Sequence, residues 1–402
     1  MWEQIRSNQI RSAVMVVGMG VLLLLVGYVL GLIFFNSVIA GVFIGLVVWG
    51  VMSLVAFFQG DSILLGLAGA RKISRDDHPR LYNVVEEMKV ASGLEKVPDI
   101  YIIDDPALNA FATGRDPNRA SVAITSGLLE KLNRDELQGV IAHEIAHVKN
   151  RDVLLMSLTS VLLGTIVILS WYASRFMLFG GATRSRRSSS EGGGSAQLII
   201  MVVGIILMIL APIMAQLIYF AISRKREYLA DASSALYTRY PEGLASALEK
   251  LAASTSPVKS ANQATAPMYI INPFRKQGMS LEDLTSTHPP TSRRIRILRS
   301  MAGGAALADY DRAYQQVGKT GRGIMSPSTI AATGTVGLRT GAAGVTAAEP
   351  GKIERARETS DLMWRLGDYR TVTCDCGTRL RVPPKFKEPN VRCPHCGRLN
   401  PV

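Results

Sequence analysis

His143-Glu144-Ile145-Ala146-His147 is the stretch whose reading decides the fold. On a helix, side chains four apart share one face, so the two imidazoles project together, one turn above the other. Neutral imidazoles placed in this way reach one Zn2+ at roughly 2.0–2.1 Å and leave room for a third protein ligand and a water. Glu144 then stands beside that water, where a base is needed. A five-residue pattern with two free positions also arises by chance, and three features argue against chance here. Asn133 suits a helix N-cap, Asp135 and Glu136 fall in the first turn, and Leu137, Val140, Ile141, Ile145 and Val148 supply apolar positions. The 402 residues include only five histidines, two of them in this motif. A matching pair of carboxylates, Glu227 and Asp231, follows downstream.

Outward from the motif, the chain is greasy for a soluble enzyme, with 48% apolar and 19% charged residues. The apolar excess falls in four blocks without a charge: Ala13–Phe35, Val38–Phe58, Val153–Ser174 and Ala196–Ile222. Each meets the length of about 20 residues needed to cross a bilayer core. Four transmembrane helices are therefore predicted in a mainly α integral membrane protein. The first exceeds the roughly 7–15 apolar residues of a cleaved signal and runs into the second after Asn36-Ser37, which marks a retained anchor. The third and fourth compete with a buried-core reading. Their uninterrupted length favours spanning, and Pro212 is tolerable in a membrane helix.

Two hairpins of spans put the N-terminus, 61–151 and everything after Ser223 on one side. Arg6, Arg11, Arg71, Lys72, Arg75, Lys149, Arg151, Arg224, Lys225 and Arg226 lie near span ends on that side and make it cytoplasmic. Arg175, Arg184, Arg186 and Arg187 in the opposite tip vote the other way. The net charge of +13 calls for no nucleic acid, because attraction of juxtamembrane residues to anionic lipid suffices. The expected localisation is the inner (cytoplasmic) membrane, multi-pass, with the active site facing the cytoplasm.

Four regions are expected: a transmembrane hairpin over 1–60, a catalytic region over 61–317, a flexible linker over 318–351 and a C-terminal module over 352–402. In the catalytic region His78–Ser92 reads as an amphipathic helix closed by Gly93. Asp99–Ile103, Asn109–Thr113 and Ser121–Thr125 read as strands of a small antiparallel sheet. The motif helix is expected to lead directly into the third span, and further helices are expected over 226–237, 242–253 and 289–301.

A catalytic zinc needs a third ligand, commonly a carboxylate or histidine from elsewhere in the chain. Glu227 is the choice, just past the fourth span. Asp231, one turn later, is placed to accept the second N–H of a zinc-bound imidazole. The competing reading makes both carboxylates a helix-start pair balancing Arg224, Lys225 and Arg226. A peptidase must also hold its substrate extended, most simply as a strand added to a sheet edge. Asn109–Gly114 is the candidate edge, with Asn109, Ala110, Phe111 and Ala112 against the substrate, and an ordinary core strand is its competitor.

Four motifs, Asn109-Ala110-Phe111-Ala112, His143-Glu144-Ile145-Ala146-His147, Glu227-Tyr228-Leu229-Ala230-Asp231, and His288-Pro289-Pro290 followed by Arg294-Ile295, occur in this order. Over roughly residues 1–301 the chain resembles the membrane metallopeptidases that include the HtpX heat-shock protease and the CAAX prenyl protease. The resemblance implies a zincin-like α+β catalytic domain in which His143, His147 and Glu227 bind the catalytic Zn2+, Glu144 is the catalytic base and Asp231 a structural companion. It also makes His288 a candidate catalytic donor to the oxyanion, with a helix-entry histidine before Pro289 as the competing reading. Arg294 either pairs with Asp231, anchors its helix, or is one of several solvated arginines in Arg293–Arg299. The implied partners are protein or peptide substrates, membrane proteins above all, and the lipid bilayer. Four spans favour the HtpX type, with a prenyl-peptide protease or a non-catalytic membrane adaptor as alternatives.

All four cysteines lie near the C-terminus, as Cys374-Asp375-Cys376-Gly377 and Cys393-Pro394-His395-Cys396-Gly397. Paired cysteines followed by glycine, twice over, predict a zinc ribbon with a second, structural Zn2+, although the first knuckle is one residue shorter than Cys-x-x-Cys. Disulfides are the alternative. Thiols kept for a metal imply a reducing compartment, in accord with a cytoplasmic face. The ribbon is read as a docking or regulatory module for a protein partner.

Overall fold

The computed structural model describes residues 2–158, 224–254, 256–261, 265–274, 289–301, 303–319, 321, 323–331, 334–339 and 349–402, with scattered single positions between 160 and 213. Two apolar helices, α1 (Trp2–Leu30) and α2 (Val38–Leu67), form an antiparallel hairpin. Asn36 turns the chain with φ 49°, and Ser37 caps α2 by accepting from the Ala40 N–H at 3.3 Å. Glycines let the two helices touch: a Cβ on Gly41 would run into the backbone of Gly27 and Gly31. Small residues at a crossing are how helices associate where apolar solvent removes the hydrophobic drive. Val14, Val17, Ile39, Phe43, Leu54 and Phe58 face outward, each more than half exposed. Such a surface suits hydrocarbon better than water, and α2 is long and apolar enough to cross a membrane. Of the third expected span only its start is described, as α6 (152–158); nearly all of Ala196–Ile222 lies outside the described residues.

The catalytic region is built on a four-stranded sheet in the order β1-β2-β4-β3: β1 (Ala70–Ile73), β2 (Asp99–Ile103), β3 (Ala110–Gly114) and β4 (Ala120–Thr125). The expected antiparallel sheet is corrected in two ways. A fourth strand, β1, is present, and β2 pairs parallel with β4. The five-residue loop 115–119, entered from Gly114 (φ 133°) and containing the 3-10 turn Pro117–Arg119, folds β3 back on β4, and β4 thereby enters between β2 and β3 running with β2. β1 escapes a pattern search because Arg71 and Lys72 expose its middle.

The sheet is buried on both faces. Ile100, Ile102, Ala110, Ala112, Val122 and Ile124 pack with Leu81, Val84, Val85 and Met88 of α3 (Pro79–Ser92) and with Val140 and Ile141 of α5 (Arg134–Lys149). Ile103, Phe111 and Ala123 face Leu64 and Leu65 of α2 and Met156 of α6. The membrane hairpin is thus joined to the catalytic region through the sheet. Burying side chains of this size contributes about 1.5–3 kcal/mol each.

His78 caps α3 by accepting from the Leu81 N–H at Nδ1 (3.1 Å), and Gly93 closes that helix at φ 69°. After α4 (Ser126–Lys131), α5 begins with a capping box: Asn133 Oδ1 accepts from the Glu136 N–H at 2.9 Å, and Glu136 accepts from the Asn133 N–H at 2.8 Å. α5 does not continue unbroken towards the third span. It ends at Lys149, Arg151 takes a left-handed φ of 59°, and α6 starts beyond it. Helices α7 (224–238), α8 (Pro241–Ala253), α9 (Thr291–Arg299) and α10 (Leu307–Gly318) complete this body. α8 lies close on α5, where a Cβ on Gly139 would meet the Leu244 nitrogen at 2.6 Å.

The region expected as a flexible linker, 318–351, is fastened down in its described parts. Ile324 and Met325 are buried in the core, a short helix α11 (Pro327–Ala331) follows, and Arg339 donates to Thr238 O, Asp135 and Gln138 at 2.7–2.8 Å. Composition hides this because single anchors among Gly, Ala and Thr leave no periodicity. Beyond it, α12 (Lys352–Leu366) packs on α4 and buries Leu362 completely. Two hairpins end the chain, β5 (Arg370–Thr373) with β6 (Arg379–Val382) and β7 (Asn390–Arg392) with β8 (Leu399–Pro401).

Candidate metal centre

The buried face of α5 delivers His143 and His147, and α7 brings Glu227 to meet them. The two Nε2 atoms lie 3.3 Å apart, and Glu227 Oε2 and Oε1 lie 3.6 Å from His143 Nε2 and 3.4 Å from His147 Nε2. Each imidazole is held from behind by a carboxylate, His143 Nδ1 by Asp231 at 3.0 Å and His147 Nδ1 by Asp152 at 3.1 Å. With Nδ1–H donating backward, both Nε2 lone pairs point at one place. His143, Glu144, His147, Asp152, Glu227 and Asp231 are all at most 3% exposed.

Arg294, from α9, is fully buried behind this set. Its Nε and Nη2 donate to Asp231 Oδ2 and Oδ1 at 2.8 and 2.6 Å, its Nη1 donates to Ile270 O at 3.0 Å and lies 3.7 Å from Glu227 Oε2. The forked pairing fixes Asp231, which fixes His143. Of the alternatives drawn from sequence, the geometry has Arg294 on Asp231.

Burial works against charge throughout the cluster, and neighbours decide the outcome. Burial pulls the His147 imidazole down, yet its bonds to Asp152 and Glu227 raise it to about 10. For His143, burial is likewise outweighed by Asp231 and Glu227, so its pKa is raised. Burial pushes the Glu144 carboxyl up, opposed by His143 and His147. Asp231 is held low because Arg294 and His143 outweigh its burial. The carboxylates thus favour protons on both imidazoles, and a metal cation entering the cluster takes the place of those protons.

The residues fit zinc. Ligand atoms about 2.05 Å from a tetrahedral Zn2+ stand about 3.3–3.4 Å from one another, close to the 3.3, 3.4 and 3.6 Å separations found here. His143, His147 and Glu227 offer atoms all within 4.8 Å of each other. Glu144 Oε1 is buried and has no hydrogen-bond partner among the described residues, as a base waiting for a water would be.

Sequence reasoning missed Asp152. Its signal was a carboxylate five residues after His147, disguised because the left-handed turn at Arg151 is what swings it back to the imidazole. His288 lies outside the described residues. Ala110, Phe111 and Ala112 lie on the edge strand β3, which packs on the helix that carries the histidines, and Asn109 just precedes it, but each is at most 1% exposed, and the two alanines pack into the core under α5. Their small size admits the helix, where the sequence suggested room for substrate.

The model of peptidase family M48 matches residues 75–302, a stretch that holds His143, Glu144, His147, Glu227, Asp231 and Arg294. The chain belongs to that family. As an M48 peptidase it is a metalloprotease. It is 44% identical over 310 residues to the protease HtpX homolog of Dictyoglomus turgidum, covering 77% of this chain and 98% of that protein. It is 40% identical over 301 residues to the protease HtpX homolog of Lactobacillus helveticus, covering 75% of this chain and all of that one. The crystal structure of S. mikatae Ste24p aligns with a TM-score of 0.40 at 19% identity, over 74% of this chain and 67% of that chain, too slight a likeness to add to the assignment. The M48 kinship and the exposed apolar hairpin together make it a membrane metalloprotease.

A second candidate cluster, this one of four thiols, stands in the C-terminal hairpins. Cys374 and Cys396 sulfurs are 3.5 Å apart, Cys376 and Cys393 3.7 Å, and all four lie within 4.8 Å. These separations are well beyond the roughly 2.05 Å of a disulfide and near the about 3.8 Å expected between thiolates 2.3 Å from a tetrahedral Zn2+. Gly377 and Gly397, at φ 84° and 75°, make the turns that aim the sulfurs inward.

Proposed function

We propose that this chain is a zinc-dependent endopeptidase of the cytoplasmic membrane, multi-pass, that cuts misfolded or regulated membrane proteins on the cytoplasmic side. The observation that carries the reading is the buried convergence of His143, His147 and Glu227 with Glu144 beside them. Zn2+ held by those three supplies a Lewis acid that lowers the pKa of a bound water to about 7 and polarises the peptide carbonyl. Glu144 takes a proton from the attacking water and hands it to the leaving amine. Its burial raises its proton affinity, which suits a group that must both accept and release. Asp152 and Asp231 hold the imidazoles in the tautomer that presents Nε2, and Arg294 holds Asp231. His288 donates to the developing oxyanion, and the edge of β3 takes up the substrate backbone. The four C-terminal thiolates hold a second, structural Zn2+, so the chain carries two, and the basic ribbon around it serves as a docking site for a protein partner.

Substrate choice is tested in membranes. Comparing proteins cleaved in cells with the active chain and with Glu144→Gln should reveal membrane proteins cut at cytoplasmic segments only by the former. Identical protein patterns in the two would remove the substrate assignment.

A further inference from the structure

The outer edge of β3, where substrate backbone pairs in the reading above, is already partly taken by the chain itself. In an antiparallel ladder alternate residues turn their N–H and C=O away from the partner strand. Asn109 O accepts from the Thr125 N–H of β4 at 3.0 Å, so Ala110 and Ala112 are the residues that turn outward. Ala110 O accepts from the Ile270 N–H at 3.0 Å. The Asn109 side-chain amide donates to Ile271 O at 3.1 Å. Ile270 O accepts from Arg294 Nη1 at 3.0 Å. A single residue, Ile270, is thus strung between the sheet edge and the arginine that grips the partner of His143.

The side chains of this segment are apolar and enclosed. Met268, Tyr269 and Ile270 are at most 2% exposed, and Tyr269 lies edge-to-face on Phe111 with ring centroids 5.2 Å apart. A strand added to an edge gains affinity from backbone bonds and selectivity from the pockets that receive its side chains. Here those pockets already receive an aromatic residue, Tyr269, and two branched ones, Ile270 and Ile271.

We infer that Tyr269–Ile271, extended just after the 3-10 turn Ala266–Met268, sits in the place of a substrate, and that substrates are extended segments with aromatic or branched apolar side chains that displace it. The inference rests on β3 being the substrate-pairing edge. An apolar incoming strand exchanges like for like, replacing the buried Tyr269 and Ile270 side chains and their backbone bonds. A polar strand would leave Phe111 and the vacated apolar pockets facing charged or hydrated groups, which disfavours exchange. Arg294 Nη1, released from Ile270 O, becomes free to bind a carbonyl of the incoming chain.

Hydrogen exchange on full-length Glu144→Gln enzyme tests this, with a saturating Tyr- and Ile-containing peptide and a Ser- and Asp-containing peptide of equal length, binding being followed by fluorescence anisotropy. The apolar peptide should bind more tightly, speed exchange of the Ile270 amide at least tenfold and slow that of Ala112. Slowed Ala112 with an unchanged Ile270 would overturn the inference and leave the pairing edge standing. Bound peptide with neither amide changed would overturn both, and tighter binding of the polar peptide would overturn the specificity. A second variant, Ile270→Pro in the active enzyme, removes the N–H given to Ala110. A displaced segment predicts a several-fold lower KM for the apolar peptide at unchanged kcat. An unchanged KM, or a fall in kcat with a lower Tm, makes the segment a fixed structural wall and contradicts the inference.

Discussion

At the scale of residues, the centre works by fixing imidazoles from behind. Asp152 and Asp231 do the same task for His147 and His143, so each should matter to metal binding more than to folding. Asp152→Asn should weaken Zn2+ binding by about 10–100-fold, the usual effect of losing a partner of a metal ligand, as measured by competition with a chromophoric chelator. Retained affinity would show that His147 needs no carboxylate. Metal binding should also depend on pH with a definite sign. Without metal, His147 holds its proton up to about 10, so Zn2+ must expel it, and apparent affinity should fall about tenfold per pH unit per proton displaced as pH is lowered from 8 to 6. Affinity flat over that range would contradict a protonated metal-free site. In the metal-free protein the same raised pKa stabilises the fold fully below about 6.5, and that stabilisation is lost as pH rises through about 10.

Among elements, α5 and α3 carry the site's rigidity. Removing the capping box with Asn133→Ala should cost about 1 kcal/mol of stability, read from denaturant unfolding of the solubilised chain. At α3 the buried His78 must be neutral to accept from Leu81; burial and then Arg80 pull its pKa down to about 4. Its protonation therefore favours the unfolded state, and stability should fall as pH drops from about 6.5 towards 4, by at most about 1.4 kcal/mol per pH unit. His78→Asn, which can still cap, should flatten that acid limb of Tm; an unchanged limb would assign it to other groups. α5 was legible in the sequence because its signals are local: Asn133 and Glu136 three apart, an apolar stripe, two histidines four apart. The sheet was less so, since whether β2 meets β4 parallel depends on where the chain returns over many residues, and β1 advertises two exposed charges. Arg151 gives no sign of a left-handed turn, and without that turn Asp152 reads as an ordinary surface acid.

On the scale of the whole molecule, the C-terminal hundred or so residues are more than a tethered appendix. Leu362 of α12 is buried in the catalytic core, Arg355 donates to Glu130 O, Arg365 donates to Asp77 O at 2.7 Å, and Arg381 of β6 pairs with Asp361 of α12. The two C-terminal hairpins are thereby attached to the catalytic body through α12, an attachment composition alone could not reveal because each anchor is a single residue. Two zinc ions per chain are expected, and Cys374→Ser with Cys396→Ser should lower the count to one by elemental analysis while the catalytic zinc stays. A count of two in that variant would remove the ribbon site. On the function proposed above, Glu144 moves protons at a metal centre made by His143, His147 and Glu227. The most direct measurement compares zinc content and peptide cleavage of the purified chain with those of Glu144→Gln. Zinc should be unchanged and cleavage reduced by about 10²–10⁴-fold or more, the range that general base catalysis supplies; undiminished cleavage in a variant that keeps its zinc would contradict a proton-transfer role for Glu144.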